Sequence, residues 1–312
     1  MSVALEPIYT LADLEYWPLC VGHWPSDGTA LAVIGRPVAH SLSPVLHNAA
    51  LVELAKIQPK FAKWRYFKFE VAPDELPHAL ALFLEKKFHG LNLTVPHKSL
   101  AVDHLVASEP FVRAAGAANT LLFTDAGWRG ANTDGTGLSV ALRQDLGVEL
   151  SSSHVVLLGA GGAARAAAVE CLRLHCASLW IGNRTRATLE TLLASLQSFA
   201  ADTRIRGFDL INPPADLPEG SVVVNATTLG LLAGDPAPLD LKKIPRPARV
   251  YDMIYRPPQT ALLRQASELG IPNANGLSML IHQGARSLEL WTGETAPLEV
   301  MQAAARTALN AG

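Results

Sequence analysis

Apolar positions in the first third of the chain switch repeatedly between strand and helix spacing. Residues 30–34 are apolar without interruption and stop at Gly35 and Pro37, the pattern of a buried strand. Ser43-Pro44 then sets an N-cap serine ahead of a proline at the first helical position. Leu46, Ala49, Ala50 and Leu54 share one face of the helix that follows, to about residue 56. Residues 65–71 alternate, Arg65, Phe67, Phe69 and Val71 against Tyr66, Lys68 and Glu70, which predicts a half-buried strand. Asp74 and Glu75 open the next helix, where Leu76, Ala79, Leu80, Phe83 and Leu84 recur at helical spacing. Leu91, Leu93 and Val95 predict a third strand, ended by Pro96, and a helix over 99–108 follows. Such alternation points to parallel strands in an α/β layer.

The rhythm breaks at residues 118–131, which read as a hairpin turning at Asp125-Ala-Gly127. Asn132-Thr-Asp-Gly135 closes that stretch, an amphipathic helix runs to about residue 146, and a domain boundary falls between them. A second alternation has strands at 154–158, 178–182, 204–208, 221–225 and 249–253, with helices to about 175 and over 187–199. Thr260 caps a helix closed by Gly270, and helices over 276–291 and 297–309 finish the chain. The expectation is an α/β protein of two domains with a cleft between them. Residues 1–134 plus 277–312 form an open α/β domain, and residues 135–276 a Rossmann-type domain. Residues 1–29 lack periodicity and read as an N-terminal extension packed on the surface.

Composition narrows the classes. About half of the 312 residues are apolar, enough for a substantial core in two domains. With 26 basic against 28 acidic residues and no basic run, nothing points to nucleic acid or a membrane surface. No apolar run reaches the ~20 residues of a spanning helix. Glu6, Asp13 and Glu15 interrupt the N-terminus, which does not read as a signal peptide. Cys20, Cys171 and Cys176 lack metal-ligand spacing and fit small buried side chains in a reducing cytoplasm, so no metal is expected. Monomer and homodimer both remain open.

The glycine stretch Gly159-Ala160-Gly161-Gly162-Ala163-Ala164 has a strand before it and a helix after it. There Gly159 suits the tight turn, Gly161 suits close approach of backbone to a pyrophosphate, and Ala164 takes the third glycine's place. An NAD site wants an acid after the next strand to hold the ribose hydroxyls. This chain has Asn183-Arg184-Thr185-Arg186 instead, and guanidinium suits a 2′-phosphate, so NADP is favoured. Lys98 sits at the exit of the third strand, ahead of a helix whose N-terminal end disfavours a cation, so an anion or a reaction should account for it. Ser41 and Ser43 at the first helix read either as a cap or as a small-carboxylate site. Asn92, Thr94 and Asn119 lie at strand ends, Asp134 can cap the helix it precedes, Tyr255 follows a strand exit and Gln283 is mid-helix. His47 and His97 are expected to make ordinary local hydrogen bonds.

These stretches together resemble the shikimate dehydrogenase signatures, in order, over about residues 31–292. The resemblance lies in residues 35–48, Asn92-Leu-Thr-Val-Pro-His-Lys98, Ala118-Asn-Thr120, Asn132-Thr-Asp-Gly135 and the glycine stretch. It continues through Asn183-Arg-Thr185, Asn225-Ala-Thr227, Asp252-Met-Ile-Tyr255 and residues 275–283. It implies NADP-dependent reduction of 3-dehydroshikimate to shikimate, on the route to aromatic amino acids. Lys98 matches the catalytic lysine and Asp134 its partner carboxylate. Ser41 and Ser43 match the groups on the substrate carboxylate, and Asn92, Thr94, Asn119, Tyr255 and Gln283 those around the ring hydroxyls. Residues 159–163, 183–186 and Thr227 match cofactor contacts, with Met253 and Gly276 beside the nicotinamide. The alternatives are a quinate or aminoshikimate dehydrogenase, against which Ser43 leans, and a non-catalytic ligand-binding regulator, against which Lys98 and Asp134 stand.

Overall fold

A computed structural model describes residues 7–22, 24–200 and 202–310. Its chain divides into two compact units, one of residues up to Thr133 together with those from Gln283 onward, the other Asp134–His282. The second division falls inside a helix, where the sequence suggested the start of that helix.

The first unit begins with α1 (Leu11–Glu15), β1 (Thr29–Gly35), α2 (Ser43–Ala55), β2 (Trp64–Glu70), α3 (Leu76–Glu85), β3 (Gly90–Leu93) and α4 (His97–Leu100). It continues with β4 (Ala107–Ser108), α5 (Pro110–Ala115), β5 (Thr120–Thr124) and β6 (Gly127–Ala131). The sheet order is β2-β1-β3-β5-β6-β4. The β2-β1-β3 half is parallel, as the alternation predicts, while β5 runs antiparallel to β3 and β6.

Four sequence expectations change here. The N-terminal extension is not a surface appendage; residues 1–6 and 23 lie outside the described residues, but Leu14 and Trp17 enter the core. Thr10 and Asp13 cap α1 reciprocally, with Thr10 N–H donating to the Asp13 carboxylate at 2.7 Å. Leu14 and Trp17 are buried among Phe67, Phe69 and Phe88, and Tyr9 pairs beside β2 through Tyr9 N–H to Lys68 O at 2.9 Å. With His47 and Trp291 against Tyr66 on the opposite side, β2 is buried on both faces rather than one, Lys68 extending its ammonium to the Ala39 carbonyl at 3.0 Å. The third strand stops at Leu93, before Pro96, and Val95 is 56% exposed. Its chain turns at once, His97 N–H donating to Thr94 O at 2.8 Å. Finally, the helix expected over 99–108 is the single turn α4, because Ala107–Ser108 is drawn into the sheet beside β6, a tertiary pairing that overrides local helix propensity.

The second unit comprises α6 (Asp134–Leu146), β7 (His154–Leu158), α7 (Gly162–Arg173), β8 (Ser178–Asn183), α8 (Arg186–Leu196), β9 (Arg204–Asp209), β10 (Val222–Asn225), β11 (Arg249–Asp252), α9 (Ala261–Glu268) and β12 (Asn273–Asn275). All its strand pairings are parallel, in the order β12-β11-β10-β7-β8-β9. Counted from β7, this is the 3-2-1-4-5-6 order of a dinucleotide-binding sheet, whose direction of winding reverses between β7 and β10. Ala164, Ala166, Ala167 and Ala168 are buried, so α7 lies close on the sheet. The sequence did not predict β12, since asparagine is a poor strand former. The chain ends with α10 (Leu277–Thr292), whose first turns belong to this unit, and α11 (Leu298–Asn310), which packs on α2 in the first.

Candidate active site

Antiparallel pairing of β5 with β3 sets Thr120 opposite Asn92, so the start of one strand meets the carboxyl end of the other. Asn92 Nδ2 donates to the Asn119 carbonyl at 3.0 Å and lies within 3.2 Å of Thr120 Oγ1 and 3.1 Å of Ser287 Oγ. Asn119 Nδ2 in turn donates to Thr133 Oγ1 at 2.9 Å and to Gln283 Oε1 at 3.2 Å. The Oδ1 of Asn119 accepts from Thr133 N–H at 2.8 Å and from Thr120 Oγ1 at 3.0 Å. Asn92, Asn119 and Gln283, far apart in sequence, therefore share one buried polar network. A network in which every member finds a partner holds each amide in one orientation.

Lys98 is the second residue of α4, half-buried, and its carbonyl accepts from Ala118 N–H at 2.8 Å. That bond pins the turn carrying Lys98 beside Asn119. A single helical turn has little macrodipole, so the unfavourable helix end expected around this cation is largely absent. Thr94 is fixed through its N–H to Ile34 O at 3.0 Å.

At α2 the sequence reading needs correction. Ser43 is not the N-cap: it is the first helical residue, and Leu42 precedes it with no side-chain cap. Ser41 Oγ instead accepts from Ser43 N–H at 3.3 Å. Both hydroxyls thus sit at the helix start, and the Ser43 oxygen is not spent on the helix. His47 also departs from expectation. Its ring is fully buried, stacks on Tyr66 at 4.2 Å and 8°, and neither nitrogen has a hydrogen-bond partner. His97 meets the expectation at one nitrogen only, Nε2 lying 2.9 Å from Val71 O.

In the second unit the glycine turn leaves β7 at the reversal point. Gly159 has φ of 112°, and a Cβ there would meet the Ala226 carbonyl at 3.0 Å, so only glycine fits without strain. A Cβ at Gly161 would meet no protein atom, which leaves space over the N-terminus of α7, where Gly162, Ala163 and Ala164 form the first turn. Ala160 is buried beneath the turn. Asn183 ends β8 and its amide donates to the Thr185 carbonyl at 2.9 Å; Thr185 precedes α8, and Arg186 opens it in an exposed pair with Glu190 at 2.7 Å. Arg184 lines a cavity of about 310 Å³ with Leu210, Leu229, Pro238 and Lys243. Thr227 gives both N–H and hydroxyl to Asn225 Oδ1, at 2.9 and 2.8 Å. Asp252, its carboxyl pushed up by burial, accepts from Asn225 at 2.9 Å and Thr260 at 2.7 Å. The motif residues Asn225 and Asp252 are therefore scaffolding for the loops that carry Thr227, Met253 and Tyr255. Gly276 follows β12 where a Cβ would overlap the Met253 carbonyl.

Two family models match the chain: the shikimate dehydrogenase substrate binding domain over residues 33–121 and the shikimate 5′-dehydrogenase C-terminal domain over 276–306. The chain is 39% identical to the shikimate dehydrogenase (NADP(+)) of Symbiobacterium thermophilum over 290 residues, 91% of this chain and 95% of that one. It belongs to the shikimate dehydrogenase family. Among solved structures, shikimate 5-dehydrogenase from Thermus thermophilus, in complex with NADP(H) and shikimate, is 35% identical with a TM-score of 0.76, covering 90% and 99% of the two chains. The same architecture carries another activity: 5-ketofructose reductase of Gluconobacter sp. strain CHM43 superposes with a TM-score of 0.78 at 28% identity, covering 90% and 99%.

In this shikimate dehydrogenase family member the buried His47 has a consequence for stability. Burial pushes the imidazole down to about 3, opposed only in part by the nearby Asn92 side chain. The unfolded chain binds its proton near pH 6.5 while the folded chain does not, so the contribution is complete above pH 6.5 and is lost progressively as pH falls toward 3. Between pH 7 and pH 5 this one residue is expected to cost about 2 kcal/mol of unfolding free energy. Urea titrations of wild type and His47→Phe across that range check it. The variant keeps an aromatic stack on Tyr66 and should have a shallower slope; parallel slopes would assign the pH dependence elsewhere.

Proposed function

We propose that the chain catalyses the NADP-dependent, reversible reduction of 3-dehydroshikimate to shikimate on the route to aromatic amino acids, and that it works in the cytoplasm. The observation that carries this reading is the buried network holding Asn92, Asn119 and Gln283 beside the turn that bears Lys98. Three polar side chains locked together at a strand end suit a small polyhydroxylated ring, and two serine hydroxyls at a helix start suit its carboxylate.

The second unit fits the cofactor. The Gly159 turn, with space above Gly161 and a twelve-residue helix behind it, suits a pyrophosphate. Arg184 and Lys243, on the apolar walls of a cavity that Asp240 also lines, suit an adenosine bearing a 2′-phosphate. Arg186 can join them, since its pair with Glu190 is exposed and screened by solvent. Asn183, Thr185, Thr227, Met253 and Gly276 complete the proposed cofactor contacts, residues 160–163 lining the phosphates. The chemistry NADP supplies when bound is reversible hydride transfer to the ring ketone carbon.

Charge builds on the ketone oxygen as its carbon is reduced. Lys98 as ammonium stabilises that charge and delivers the proton; in the oxidative direction the amine takes the hydroxyl proton back. Asp134, buried as the first residue of α6, orients the reacting hydroxyl. Ser41 and Ser43 hold the substrate carboxylate, and Thr94 and Tyr255 join the amides around the ring hydroxyls.

The test is a set of initial rates: oxidation of shikimate and of quinate, each with NADP⁺ and NAD⁺, and reduction of 5-ketofructose with NADPH and NADH. Shikimate with NADP should give the highest kcat/KM. A preference for quinate with NAD would move the chain to a catabolic relative, and reduction of 5-ketofructose alone would align it with the Gluconobacter reductase.

A further inference from the structure

The alternation of β2 puts Tyr66 on the face expected to be exposed. Its ring is instead wholly buried and held from several sides. The imidazole of His47 lies flat against it, Trp291 stands 6.1 Å away at 48°, and Asn48 grips its backbone. Asn48 Oδ1 accepts from Tyr66 N–H at 2.8 Å and Nδ2 donates to Tyr66 O at 3.0 Å. The consecutive residues His47 and Asn48, one turn into α2, thus fix both the ring and the main chain of one tyrosine on β2.

What that clamp presents is a hydroxyl. Tyr66 Oη donates to Asn92 Oδ1 at 2.7 Å. The Asn119 carbonyl can only accept, so it requires the NH₂ of Asn92; the Tyr66 O–H then meets the Asn92 oxygen. Together the two partners exclude the flipped amide. Ser43 also borders the phenol, where its hydroxyl opposes the rise that burial imposes on the tyrosine.

We infer that Tyr66 is a positioning residue that holds the Asn92 amide in one orientation, so that one buried phenol sets the ring-hydroxyl end of the substrate site. The inference rests on the functional reading above, and it gives His47 and Asn48 the role of aligning that phenol rather than of touching substrate.

Tyr66→Phe removes one oxygen and leaves the ring, its stacking and the Asn48 clamp in place. In steady-state assays on the full chain, KM for shikimate should rise roughly tenfold while KM for NADP stays within about twofold. In an Asn92→Ala background the same change should add little further loss, because its partner is already gone. Asn48→Ala, which loosens the clamp but keeps the hydroxyl, should shift KM for shikimate the same way by less, and serves as the readout where Y66F does not fold. An active wild type with unchanged shikimate kinetics in Y66F and N48A overturns the inference alone. So does a loss that falls equally on NADP and tracks Tm, the mark of general destabilisation. A wild type that turns over no shikimate overturns the functional reading and the inference with it.

Discussion

Lys98→Ala is expected to lower kcat for shikimate oxidation by about a thousandfold or more, with NADPH affinity unchanged within about twofold. Two contributions are lost together, proton transfer and stabilisation of charge on the carbonyl oxygen, each worth one to several powers of ten. The turn should survive, because the Lys98 carbonyl that accepts from Ala118 N–H is present in alanine too. Lys98→Arg is expected to recover little, since guanidinium keeps the charge but does not release a proton near neutral pH. Absorbance assays at saturating cofactor give kcat, and fluorescence titration gives NADPH affinity. Near-normal turnover in the alanine variant would remove Lys98 from the chemistry, and parallel loss of NADPH binding would point to a folding defect.

The second large effect concerns the N-terminal segment. Trp17 is 8% exposed and sits 4.8 Å from the ring of Phe67, 4.9 Å from Phe88 and 5.7 Å from Trp24. Truncating it to alanine leaves a large void among aromatic rings that cannot all collapse inward, and about 3–5 kcal/mol of stability should be lost. A tryptophan in a surface appendage would cost under about 0.5 kcal/mol. Urea unfolding followed by far-UV circular dichroism separates the two magnitudes. A midpoint within error of wild type would return residues 7–22 to the status of an appendage.

Most of the fold was legible because it is written in runs and periods. The apolar stretch Val155–Leu158, closed by Gly159, points to a strand, the i, i+3, i+4 spacing of residues 76–83 to a helix, and the structure has both. The extension was misread because its anchors, Tyr9, Leu14 and Trp17, follow no period, although the capping pair Thr10 and Asp13 was there to be seen. Short elements failed for a different reason: β4 and β12 exist only because a neighbouring strand offers partners, and no local pattern encodes a neighbour. At the site, strand-end asparagines and the lysine stood out by type. Ser287, one helical turn after Gln283 and on its face, carries the same spacing signal, but a mid-helix serine does not stand out by type. Tyr66 was hidden by the alternation of β2, which says which face a residue takes and not whether that face is covered.

The first unit is assembled from two stretches of chain separated by the whole of the second. On a ribosome the consequence is a wait. Residues 1–133 emerge early, yet Ser287 and Trp291 and the helix that covers α2 come only after about 150 more residues have been added, on the order of 10–30 s at ordinary translation rates. The Asp134–His282 stretch has everything its own sheet needs and can close during that interval. The earlier sheet meanwhile holds its tyrosine, its buried histidine and its asparagine uncovered, so the nascent chain is most prone to misassociation while the first stretch of its substrate unit waits for the second, and residues from Gln283 onward are the ones that complete it.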